Sequence, residues 1–282
     1  MLVPMWNRTL LALLLASSAF GQKPPKAPAT PRLYVFDNGL IHGINPELFH
    51  LTKDQVAVSD MVVSSYLIVH PRGVLLWDCG AIPDSAIQDD GTQATSGLYV
   101  ATKTLKSQLA AIGYAPKDIT YFGLTHYHGD HTANANDYAA ATWIVQQVER
   151  DAMFGEKAPP ITQRERYDAL KNSKAKILKG EDFDVFRDGS VVVKAAYGHT
   201  PGHQVVYLKL AHTGPILLAG DLYHYNEERG TDKTPGFEFS REQSLASREA
   251  MEAFIKKTGA QLWIEHDLAH FNTLKKAPAY LD

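Results

Sequence analysis

The sequence contains a single cysteine, Cys79, so an internal disulfide is excluded. One thiol also excludes a cysteine-rich structural zinc site and any iron–sulfur cluster held by four cysteines. Any bound metal must therefore be held by histidines and carboxylates. No long run of one charge sign occurs, and the net charge is only −3 over 282 residues. That balance offers no basic patch for nucleic acid or an anionic membrane. No fixed-period repeat is present, which excludes a solenoid. What the sequence does have is 45% hydrophobic residues, enough for a sizeable core.

The chain opens like a secretory leader. Arg8 supplies the positive charge, Leu10–Phe20 an apolar stretch too short to span a bilayer, and Ala19-Phe20-Gly21 the small residues of a cleavage site after Gly21. Residues 1–21 are thus expected to be a signal peptide, and the mature protein periplasmic or secreted, with no stable membrane insertion. Gln22 to Arg32 is Pro- and Lys-rich and reads as an extended, disordered linker. From residue 33 to 282 the apolar pattern is uninterrupted, as expected of one domain.

Short β-type runs recur. Ser65–His70 and Val74–Trp77 flank the turn Pro71-Arg72-Gly73. Thr120–Leu124, Thr142–Val145, Phe183–Phe186, Val191–Ala196, Gln204–Leu210, Pro215–Ala219 and Gln261–Ile264 are further candidates. One helix is predicted from Leu98 to Ile112 on the spacing of Leu98, Leu105, Leu109 and Ile112. A second follows a capping box at Ser240–Gln243 and ends at Gly259. Two strand clusters, each with a helix, suggest an α+β layered sandwich. Phe154–Lys174 fits neither pattern and reads as a loop or helical cap over a site.

The chemistry concentrates in His126-Tyr127-His128-Gly129-Asp130-His131. His126 and His128 leave a strand end and can converge on one ion, while Asp130 and His131, further round the turn, can reach a second. Imidazole and carboxylate without thiolate is the donor set of catalytic rather than structural zinc. Four residues cannot fill two coordination shells, and further candidates stand past later strands. These are His199 and His203 around a Pro-Gly turn, Asp221 after Gly220, and His266-Asp267.

With these residues the chain resembles the metallo-β-lactamase superfamily, whose pattern is His-x-His-x-Asp-His followed by separate His, Asp and His. The resemblance implies a four-layer αβ/βα sandwich with the site at its edge. It implies two Zn²⁺ per chain, one held by His126, His128 and His199, the other by Asp130, His131 and His266, with Asp221 bridging. Within the superfamily the chain most resembles N-acyl homoserine lactone lactonases, through Gly198–Gln204, Asp221 and Glu265-His266-Asp267. Asp221 argues against β-lactam hydrolysis. The implied reaction opens a lactone that carries an acyl chain and so quenches quorum signalling, with Asp130 a ligand and proton shuttle.

There are departures. Where lactonases commonly carry a tyrosine three residues after the bridging aspartate, this chain has His224, flanked by Tyr223 and Tyr225; any of the three could hydrogen-bond the substrate carbonyl. Gly129 stands where some lactonases have a bulky apolar residue, and Thr132–Asn136 replaces a frequent glycine pair. His203 is expected to orient a ligand, and Asp78-Cys79-Gly80 to be a packing turn. His42, His50, His70, His212 and His270 lack ligand spacing. Met61–Val63 and Leu98 could face the acyl chain or the core. The rival readings are a hydrolase of thioesters, phosphodiesters or β-lactams on the same scaffold, or a non-catalytic exported metal-binding protein.

Overall fold

The computed structural model describes residues 24–157, 159 and 161–282. The expected signal peptide, 1–21, lies outside them. Among the described residues, thirteen strands form two sheets. The large one takes β1 (Arg32–Ile41), β2 (Met61–His70), β3 (Gly73–Trp77), β4 (Ala94–Ser96), β5 (Tyr99–Ala101), β6 (Tyr121–Gly123), β7 (Thr142–Gln146) and β8 (Ala175–Leu178) in the order β4-β5-β1-β2-β3-β6-β7-β8. The small one takes β9 (Phe183–Asp184), β10 (Val191–Ala195), β11 (Gln204–Leu210), β12 (Gly214–Leu218) and β13 (Gln261–Trp263) in the order β13-β12-β11-β10-β9.

Strand periodicity builds the layers, because alternate side chains leave a strand on opposite faces. Leu33 and Val35 of β1, Ile68 of β2, Leu75 and Trp77 of β3 meet Val191, Val193, Val206, Leu208 and Ile216 between the sheets. Their neighbours Tyr34, Phe36, Leu67, Leu76 and Phe122 face outward under α1 (Leu105–Ala111) and α3 (Gln147–Phe154), a cluster that includes Leu105, Leu109 and Met153. On the small sheet, Val205, Tyr207 and Leu217 pack under Met251, Phe254 and Ile255 of α4 (Arg241–Thr258). The result is the expected α+β sandwich of four layers.

Helix α4 matches its sequence signals. Ser240 accepts from the Gln243 N–H, and Gly259 closes the helix in the left-handed region at φ 69°, donating to Ile255 O. The first hairpin also forms, with His70 paired to Gly73 and only Pro71-Arg72 in the turn.

Two expectations are corrected. The helix placed at 98–112 shrinks to Leu105–Ala111: Thr104 caps it, accepting from the Ser107 N–H, while Tyr99–Ala101 is a strand paired with β1. Leu98 kept helical spacing but is 52% exposed, so its apolar character belongs to a rim rather than a helix face. Arg32 is not linker but the first residue of β1, and Pro28 is buried. That strand was hidden because Asp37-Asn38-Gly39 reads as a turn; it is a bulge that shifts the register against β2 between Asp37 and Leu40. The segment Phe154–Lys174, read as a loop or helical cap over a site, fits that reading: its described residues hold two 3-10 turns, Arg164–Arg166 and Asp168–Asn172, and Ile161, Gln163 and Arg166 lie at the cavity and beside Gly129.

Candidate metal centre

The candidate ligands stand just beyond the C-terminal ends of four strands: β6 in the large sheet, and β10, β12 and β13 in the small one. Packing the two sheets brings those ends together. After β6, His126 and His128 precede a single helical turn, α2 (Gly129–Thr132), which carries Asp130 and His131 round the corner. Two glycines permit the close approaches. Gly198 has φ +133° and a side chain there would strike the Ser244 backbone N at 2.1 Å. Gly220 has φ +50°, and a Cβ would meet Thr125 at 2.7 Å and His203 Nε2 at 2.9 Å.

Two sets result: His126, His128, His199 and Asp221 offer ligand atoms within 4.8 Å of one another, and so do Asp130, His131 and His266. Asp221 stands between them with its oxygens divided. Oδ2 lies 3.2 Å from His199 Nε2 and 3.7 Å from His126 Nε2. Oδ1 lies 3.3 Å from His131 Nε2 and 3.2 Å from His266 Nε2. Asp130 faces the second set, 3.9 Å from His131 Nε2 and 3.8 Å from His266 Nε2.

The residues fit metal ions. His126 Nε2, His131 Nε2 and Asp221 Oδ1 are buried without a hydrogen bond, a costly state for protein atoms left to themselves. The opposite ring nitrogens are fixed, as ligand histidines require. His126 Nδ1 meets Thr125 Oγ1 at 2.9 Å, His131 Nδ1 meets Asp78 Oδ2 at 3.1 Å, and His266 Nδ1 donates to Val62 O at 2.8 Å. Burial, reinforced by neighbouring histidines, holds His126 and His128 well below the usual imidazole range, which favours the neutral form that binds metal. Burial opposes a charge on His199, yet Asp221 and Glu238 push its pKa up to about 10. A cation there displaces a proton.

His203, despite its proximity, has both nitrogens committed: Nδ1 to Ala196 O at 3.0 Å and Nε2 accepting the Asp221 N–H at 3.0 Å. It aims the Asp221 backbone. Of the three residues considered for the substrate hydrogen bond, only His224 faces the site, with Nε2 3.1 Å from Asp221 Oδ2. Tyr223 and Tyr225 are corrected as catalytic candidates. They are extended on either side of His224, so their side chains leave the opposite way. The Tyr223 hydroxyl donates to Glu252 at 3.2 Å, and that of Tyr225 to Ser59 O at 2.9 Å.

A cavity of about 170 Å³ opens on this centre. His128, Asp130, Asp221, His224 and His266 form its polar end; Ile41, Ile44, Phe49, Met61, Leu98, Ile161 and Phe237 form its apolar walls. Met61 and Leu98 thus line it, whereas Val62 turns into the inter-sheet core. The space beside Gly129 is taken by Gln163 and Arg166, and Arg166 clamps Gly129 O at 2.9 Å and Ala81 O at 2.8 Å. Residues that sequence reasoning missed are Tyr99 and Phe237 in the cavity wall, and Glu149 and Glu238 behind the ligands. Asp78, read as part of a packing turn, also orients His131 and accepts the Thr125 N–H. The five other histidines lie outside both sets; His70, for example, stacks on Phe186 at 4.1 Å.

Comparison with known proteins agrees with this geometry. The N-acyl homoserine lactonase AttM of Azorhizobium caulinodans is 28% identical over 268 aligned residues, covering 89% of this chain and 98% of that protein. The lactonase AiiA of Bacillus thuringiensis subsp. kurstaki is 27% identical, covering 79% and 88%. The solved structure of a quorum-quenching N-acyl homoserine lactone lactonase has the same fold, with TM-score 0.73 at 24% identity and coverage of 92% and 100%. The pattern of the metallo-beta-lactamase superfamily matches residues 58–254, well over half the sequence, and the chain therefore belongs to that superfamily.

Proposed function

We propose that this protein is a two-zinc hydrolase that opens the ring of N-acyl homoserine lactones. The observation that carries the reading is the divided carboxylate of Asp221, one oxygen toward each histidine set, at the floor of a cavity with apolar walls. Curated relatives of similar length are lactonases. Zinc is favoured by the donor set, all nitrogen and oxygen. Bound there, a pair of ions supplies Lewis acidity to a carbonyl oxygen and lowers the pKa of water toward neutrality.

The chain's own residues do the rest. The apolar walls take the acyl chain and exclude bulk water. His224 donates from Nε2 to the carbonyl oxygen as charge develops on it, a hydrogen bond worth about 3–4 kcal/mol in such sites. Asp130, at the cavity's polar end, takes the proton of the attacking water and returns it to the ring oxygen. The acyl carbon gains the water oxygen, its bond to the ring oxygen breaks, and an N-acyl homoserine results. Export to the periplasm or medium would put this activity where such signals diffuse, and fractionation of cells tests it.

A panel of acyl homoserine lactones, nitrocefin, a thioester and a phosphodiester, run beside metal analysis, tests the function. Ring opening with about two ions per chain is expected. Full activity of metal-stripped protein would refute it, as would full activity of Asp221→Ala.

A further inference from the structure

The three histidines of the first set come from two loops in different layers. His126 and His128 follow β6 of the large sheet; His199 lies between β10 and β11 of the small one. Their common focus therefore depends on what fixes one loop against the other. Glu149, in the first turn of α3, is only 3% exposed and belongs to neither loop. Its Oε1 accepts the backbone N–H of Tyr127 at 2.9 Å, between the two ligands of the first loop. Its Oε2 accepts the Gly202 N–H at 2.7 Å, and the Thr200 hydroxyl reaches both oxygens at 2.9 Å. Gly202 has to be glycine here, since a Cβ would stand 2.6 Å from that of Glu149.

We infer that Glu149 is a positioning residue that sets the geometry of the His126–His128–His199 site by joining its two loops through one buried carboxylate. It touches neither ion nor substrate. In the second set, His131 is oriented by Asp78 and by Thr125, which also meets His126, and His266 by Val62; none of these contacts involves Glu149, so the effect is confined to one of the two ions.

The inference rests on the two-ion centre and is tested by metal retention rather than turnover. Glu149→Gln keeps the shape but offers only one acceptor oxygen, so the Tyr127 or Gly202 N–H loses its partner. In chelator competition on the zinc-loaded protein, one ion is expected to leave roughly ten- to hundredfold more easily, as for other residues that orient ligands, while the second follows the wild-type curve. In the cobalt-substituted protein, one of two absorption components should be lost first. Retention of both ions as in wild type, or equal weakening of both in step with a lowered melting temperature, would overturn the inference. If Glu149→Gln does not fold, Thr200→Val removes the hydroxyl donor alone. A several-fold loss of one ion supports the role of Glu149, and no loss refutes it. A wild-type protein that binds no ion would refute the metal centre itself.

Discussion

Arg248 offers the sharpest test of how the fold holds the site. It projects from α4 and is 4% exposed; its partner Glu228 is fully buried. The guanidinium pairs with Glu228 Oε2, and its Nε donates to Leu222 O at 2.7 Å and Nη1 to Lys233 O. Glu228 Oε1 in turn accepts the N–H groups of His224 and Tyr225, each at 3.0 Å. The pair thus ties α4 to the loop that carries Asp221 and His224. Replacing Arg248 with Met keeps much of the stem over the Tyr223 ring, on which the guanidinium sits at 4.4 Å, but strands a buried carboxylate. Breaking a buried pair from one side costs about 3–5 kcal/mol. At about 2–4 °C per kcal/mol for a chain of this size, the melting temperature should fall by roughly 6–20 °C. The double variant Arg248→Met/Glu228→Gln removes the stranded charge while its amide oxygen still accepts from His224 and Tyr225. It should recover most of the loss, keeping about 1–3 kcal/mol for the unpaired carbonyls. Urea unfolding of the metal-free proteins reads both. A single variant that loses under about 1 kcal/mol, or a double variant no better than the single, would show that charge burial is not what governs this contact.

Other consequences are as direct. His224→Ala should lower kcat about a hundredfold or more, whereas Tyr223→Phe and Tyr225→Phe should stay within a few-fold, in a steady-state lactonase assay. Each added methylene of the acyl chain should raise kcat/KM by roughly fourfold until the cavity is full, from about 0.8 kcal/mol per buried CH₂. Leu98→Ser and Ile161→Ser, both 52% exposed at the mouth, should flatten that slope only for the longer chains. Cys79 is fully buried, with its thiol pushed up by burial and set 3.2 Å from His131 O, so a thiol reagent should label it only on unfolding.

Much of the site was legible in the sequence because metal ligation needs rare residue types in tight spacing. His126, His128, Asp130 and His131 fall within six residues, and His199, Asp221 and His266 each follow a short run read as a strand. The layered class was legible for a similar reason: a continuous apolar run such as Val205–Leu208 marks a strand covered on both faces, Val205 and Tyr207 packing under α4 and Val206 and Leu208 between the sheets. Four strands were missed: β1, whose pattern is broken by its bulge, and β4, β5 and β8, whose three or four residues are too short to show one.

The sequence by itself determined the donor set, the exclusion of thiolate ligation, the capped helix α4 and the sandwich class, since each follows from residue type and near-neighbour order. Only the tertiary structure decided which of His224, Tyr223 and Tyr225 faces the centre, that His203 aims Asp221 rather than holding an ion, and that Glu149 joins two loops. Each of these depends on where a side chain points once two sheets have packed. That direction is set by contacts between residues about 20 to 200 positions apart, and no local pattern carries it.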